Sequence, residues 1–119
     1  MTLLSAPLIG LIQEAGEAVL TLTEGLAQGE LLSSRLTRAE VTRQLEVMAS
    51  ALRRMPPALM QAMPEVDWAG WRGVEVSLRE PGPAREDALW FGVSALVPAT
   101  LSWMRVYRQS SPELFNYWP

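Results

Sequence analysis

Apolar side chains at Leu8, Ile12, Ala15, Val19, Leu22 and Leu26 recur at alternating steps of four and three residues, the period of a helix with one buried stripe. Ser5 and Pro7 suit the start of that helix, and Gly25 or Gly29 its end. A second stripe, Val41, Leu45, Met48, Leu52 and Met55, keeps the same rhythm. It opens on Thr37 and Glu40 at the spacing of a capping box and is stopped by Pro56 and Pro57. Between the two stripes, residues 30–36 read as a connection whose Leu31, Leu32 and Leu36 pack back onto the core.

Pro56, Pro57 and Pro64 leave residues 56–67 as a bend with room for one short helical turn over 58–63. Residues 68–78 read as a helix with Trp68, Trp71 and Leu78 near one face and Gly73 admitting a neighbouring backbone, although Val74 and Val76 also suit a strand. Glu80, Pro81, Gly82 and Pro83 make the sharpest break in the chain. A last long helix is expected over 85–108, kinked at Pro98. It carries two apolar stripes, Leu89, Val93, Leu96 and Trp103 on one side and Trp90, Val97, Leu101 and Met104 on another. So much apolar circumference places it between several neighbours or in a subunit contact. The tail, 109–119, holds Leu114, Phe115, Tyr117 and Trp118 and is expected to dock. The pattern predicts an all-α, up-and-down bundle of four to five helices in a single domain spanning 1–119.

Composition narrows the chemistry. The chain has 119 residues, 49% hydrophobic and 19% charged, and a chain of this length buries roughly 65% of its unfolded surface without help from disulfides or metals. It contains no Cys and no His. That removes the usual zinc ligands, the thiol nucleophile, the imidazole base and the redox dithiol, and leaves carboxylate, guanidinium, hydroxyl and phenol. No cofactor or metal is called for.

The net charge is −3, and all ten basic residues are arginine. This balance argues against nucleic acid and anionic membranes as partners. The missing lysine, with few Ile and Asn and abundant Ala and Pro, matches a G+C-rich coding bias, so the arginine excess reads as genomic. Residues 1–10 lack a basic leader, and no run of 18 or more apolar residues occurs, so no membrane span is expected. A cytoplasmic location is expected, and the missing Cys agrees with a reducing compartment.

Few constellations stand out, and no phosphate-loop or dinucleotide spacing is present. Arg72, Glu75, Arg79 and Glu80 sit beside two tryptophans, where helical spacing makes them either a surface ion ladder or a substrate or partner site. Arg53 and Arg54 suit the negative end of the second helix dipole. Glu14, Glu17 and Glu24 lie off the first stripe, as a solvated face would place them. Met48, Met55, Met60, Met63 and Met104 read as core filler. Trp68, Trp71, Trp90 and Trp103 could stack nucleobases, but their spacing and the acidic balance favour core packing.

Over about residues 8–108, the order of these pieces resembles the HepT-like branch of the HEPN superfamily, all-α proteins found beside minimal nucleotidyltransferases in prokaryotic toxin and antitoxin pairs. The likeness rests on the proline-containing bend, on Pro64 and Trp68 with Gly73 following, and on Trp90 with Pro98 eight residues later. Ribonuclease members of that family carry an Arg, usually followed by Asn, then a His four to six residues on, often with a Tyr beyond. Setting Trp68 and Gly73 in register places Glu75, Val76, Glu80 and Gly82 at those positions, and sliding the register onto Arg72 finds only residues 77–79 where His is due. Without an imidazole, and with acidic side chains that repel phosphate, the chain looks like a catalytically dead relative.

The resemblance implies a non-catalytic protein that acts by association, with itself and with a nucleotidyltransferase-like partner. The alternatives are an enzyme or nucleotide-binding protein using Arg72, Glu75, Arg79 and Glu80, and RNA binding without cleavage. Homodimerisation is expected through the last helix and tail, with Trp103, Tyr107, Phe115, Tyr117 and Trp118 at the interface.

Overall fold

The computed structural model describes residues 5–114, which form helices and turns without a strand among them. Six helices are present, one beyond the upper figure of the four to five that the pattern predicts: α1, Ser5–Thr23; α2, Gln28–Ser33; α3, Arg35–Arg53; α4, Pro57–Ala62; α5, Trp68–Ser77; and α6, Pro83–Ser110. A single 3-10 turn, Pro112–Leu114, follows. The additional helix is α2, formed inside the stretch read as a connection. Its Leu31 is fully buried and Leu32 half-buried against the core, but Leu36, expected to pack with them, is 83% exposed on the first turn of α3.

Helix α1 ends where Gly25 adopts φ +76°, a left-handed conformation that glycine reaches without a Cβ clash. The Glu30 carboxylate then accepts the Ala27 amide at 2.8 Å and opens α2. The expected capping box at Thr37 and Glu40 is not formed. Helix α3 already begins at Arg35, so both residues lie inside it, and Glu40 is engaged with Arg43 and Gln44. At the start of α5, the Asp67 carboxylate accepts the Gly70 amide at 2.8 Å.

Helix α1 lies along α3, α3 packs on α5, and α6 closes the bundle against α1, α3 and α5. Both predicted stripes line the core: Leu8, Ile12, Ala15 and Val19 from α1, and Val41, Leu45, Met48, Leu52 and Met55 from α3. Leu22 emerges at the surface, because α1 ends one residue later. Two helix contacts are closed over glycine. A Cβ on Gly16 would sit 2.9 Å from the Leu101 side chain, and one on Gly92 3.1 Å from that of Leu45. Gly73, expected to admit a neighbour, faces outward instead, and a Cβ there would meet nothing within 4 Å.

The long last helix departs most from expectation. Its irregularity is a π turn over Gly92–Leu96, in which the Val97 amide donates to the Gly92 carbonyl. The turn lies just upstream of Pro98, whose ring and missing N–H disfavour ordinary α bonding to the preceding turn. The wider turn rotates the second half of the helix relative to the first. As a result Leu89, Val93, Leu96, Val97, Thr100 and Met104 are buried, while Trp103, predicted to share the Leu89 stripe, comes to the surface. Trp90 and Leu101 are half-buried.

By length and composition α6 could cross a membrane, with mean hydropathy 1.2 over its most apolar stretch. Counting only unbroken apolar runs overlooks this, because Gly, Ala, Ser and Thr interrupt the run without lowering the average much. In the bundle, the helix packs against α1, α3 and α5, with 39% of that stretch buried.

Candidate functional site

The four charged residues singled out in α5 and its exit do not converge. Glu75 reaches across to α3, where its Oε2 pairs with Arg53 Nε at 3.1 Å. The predicted ladder to Arg72 and Arg79 is replaced by an interhelical pair because the last turn of α3 lies beside this face of α5. Arg53 also sits in that last turn, where a cation suits the helix dipole. Arg72 and Glu75 share a narrow groove of about 80 Å³ with Arg53, Met60, Trp68 and Trp71. Arg79 and Glu80 lie beyond the end of α5, both exposed.

The indoles near that groove serve the fold. Trp71 is buried, and its Nε1 donates to Thr100 Oγ1 of α6 at 2.8 Å. Half-buried Trp68 donates its Nε1 to the Met63 carbonyl at 3.0 Å. Met48, Met55, Met63 and Met104 are buried and Met60 half-buried, as core filler requires. Glu14, Glu17 and Glu24 are exposed, and among the described residues no group of three or more carboxylates is placed to hold a metal ion.

The residues expected at a subunit contact present a clearer arrangement. On the outer side of α6, Phe91 is 43% exposed, Trp103 37% and Val106 46%. Ala95 and Ala99, also exposed, lie between them. Phe91, Ala95, Ala99, Trp103 and Val106 follow one another by four, four, four and three residues, so the π turn leaves them on one side of the helix. This apolar stripe carries no charge and is small in its middle. Beside it runs a groove of about 400 Å³ between α1 and α6, walled by Leu20, Pro98 and Leu101 and edged by Glu17 and Arg105.

Tyr107 is half-buried. Its ring lies 6.1 Å from that of Trp103, and its hydroxyl is buried without a hydrogen-bond partner among the described residues. Phe115, Tyr117 and Trp118, the other residues expected at the contact, lie outside the described residues.

The sequence does not single out a third feature, a cleft of about 290 Å³ where α3 and α6 begin. Arg35 and Arg38 enter it from α3, and Arg85 and Glu86 from α6. The turn through Pro81 and Gly82 closes one side, with Gly82 at φ +135°. These residues are distant in sequence, so no local motif marks them.

Comparison of the chain with family models, with curated proteins and with solved structures gives no match.

Proposed function

We propose that this protein is a non-catalytic, HepT-like helical module that works by association, first with a second copy of itself through the outer stripe of α6. The observation that carries this reading is the uncharged run of Phe91, Ala95, Ala99, Trp103 and Val106 facing outward from a helix whose other side is already buried. Such a stripe is self-complementary. Two copies crossing antiparallel about a two-fold axis bring alanine against alanine at the centre and set Phe91 of each near Trp103 and Val106 of the other. Aromatic anchors around a close-packed centre are the composition of stable interfaces.

The pairing also agrees with the HEPN resemblance, in which domains generally dimerise. On the same resemblance, the further partner is a nucleotidyltransferase-like protein of a toxin and antitoxin type system, and the setting is the cytoplasm. Loss of ribonuclease activity follows from the chemistry available: a chain without histidine has no imidazole to act at an RNA 2′-hydroxyl. The alternative site at Arg72, Glu75, Arg79 and Glu80 gains no support from geometry, since Glu75 is held by Arg53 and the other three residues do not surround a common space.

The cysteine-free chain offers a direct test. Ala99→Cys places one thiol at the centre of the stripe, and mild oxidation is expected to give a disulfide-linked dimer in high yield. A Glu24→Cys control, in the exposed turn after α1, should remain monomeric on denaturing gels. Equal, low yields from both variants would refute the proposed contact.

A further inference from the structure

We propose that the cleft between the starts of α3 and α6 is a binding site for a small phosphomonoester, held through its phosphate by Arg35, Arg38 and Arg85. The inference is independent of the association through the outer face of α6. Three arginines line it in a chain whose acidic residues outnumber its basic ones, thirteen to ten. Only one carboxylate, Glu86, shares the lining.

Arg43 pairs with Glu40 and Arg53 with Glu75. Arg35 and Arg85, like Arg54, Arg72, Arg79 and Arg105, form no side-chain ion pair or hydrogen bond among the described residues; what sets them apart is that they line one cleft together with Arg38. Three arginines beside one carboxylate leave the cleft with a net positive charge, and an anion bound there relieves the repulsion among them.

The arrangement favours a phosphate. Guanidinium forks match phosphate oxygens two at a time, and three of them supply more charge than one carboxylate would neutralise. Arg38 is set in advance, because it donates to the Leu32 carbonyl at 2.8 Å and leaves its other N–H groups available. The start of α3 has neither a side-chain cap nor an acidic residue in its first turn, so its dipole adds to the positive potential, whereas Glu86 offsets that of α6.

The space exceeds what a bare ion requires. Its volume of about 290 Å³ lies at the lower end of small-molecule sites, and Ala39, Pro81 and Leu89 add apolar wall beside the arginines. A phosphate bearing a compact organic group fills both parts.

Calorimetric titration of the full chain at low ionic strength tests this with ribose 5-phosphate, glycerol 3-phosphate and phenyl phosphate as probes, against inorganic phosphate and ribose. At least one ester is expected to bind with unit stoichiometry more tightly than inorganic phosphate, which competes for the same site, while ribose gives no heat. Arg35→Gln with Arg85→Gln should weaken the ester at least about tenfold, with the helical circular dichroism and melting midpoint of the free protein retained. Arg38→Lys, which keeps the charge but loses the fork, should weaken it less. The proposal is overturned if no ester binds at millimolar concentration, if the double variant binds as tightly as the native chain, or if inorganic phosphate binds as tightly as the best ester. Displacement by a glutamate-rich peptide at lower concentrations than by inorganic phosphate would overturn it too, assigning the cleft to an acidic protein segment instead.

Discussion

Trp71 of α5 donates its indole N–H to the hydroxyl of Thr100, near the middle of α6, in a bond buried from solvent. It is a polar tie between two helices otherwise joined by apolar packing, and it fixes how α6 is rotated after its π turn. Thr100→Val keeps the shape of the side chain and removes the acceptor, leaving a buried donor unpaired. A loss of about 1–3 kcal/mol is expected, read as a lower urea midpoint at unchanged m-value. Trp71→Phe in the same background should show coupling between the two positions in a double-mutant cycle. Strict additivity would mean that the bond contributes nothing.

Two glycines should respond to alanine in opposite directions. Gly25 has φ +76°, where a Cβ is strained, so Gly25→Ala is expected to cost about 1 kcal/mol. Gly73 lies inside α5 with open space around a Cβ, so Gly73→Ala should stabilise by about 0.5–1 kcal/mol through helix propensity. Thermal melts of the two single variants decide this. A destabilising Gly73→Ala would mean that this face of α5 is covered rather than open.

The Glu40 carboxyl is lowered to about 2 by its hydrogen bonds to Arg43 and Gln44 and by the charge of Arg43. A carboxyl whose folded value is depressed contributes stability above its unfolded value, near 4.5, and loses that contribution as pH falls toward about 2. Carboxyl-detected NMR titration should place the Glu40 midpoint well below the ordinary glutamate range, and Arg43→Ala should move it up toward that range. Identical midpoints in the native chain and in Arg43→Ala would contradict the pair.

The amino-acid pattern reveals the long helices where their periodicity runs unbroken. All five residues of the Val41 to Met55 stripe are buried, and Gly25 ends α1 at the left-handed position expected of it. The pattern misleads where geometry changes phase. Trp103 shares the spacing of Leu89 only in a continuous α-helix, and the π turn between them sends it outward. It is uninformative where residues meet across long sequence distances: Glu75 looks tied to its own helix until α3 brings Arg53 beside it, and Arg35 and Arg85 share a cleft that no local spacing announces. The exposed stripe falls between these cases. Excess apolar surface on the last helix is visible from composition, but which part faces outward depends on the π turn.

Light scattering coupled to gel filtration at tens of micromolar tests the central claim most directly. The native chain should elute with twice its own mass, and Ala99→Arg combined with Trp103→Glu should reduce that to a single chain while leaving helical circular dichroism and a cooperative melt in place. A native chain that stays monomeric at that concentration, or a double variant that remains dimeric, would contradict association through the outer face of α6.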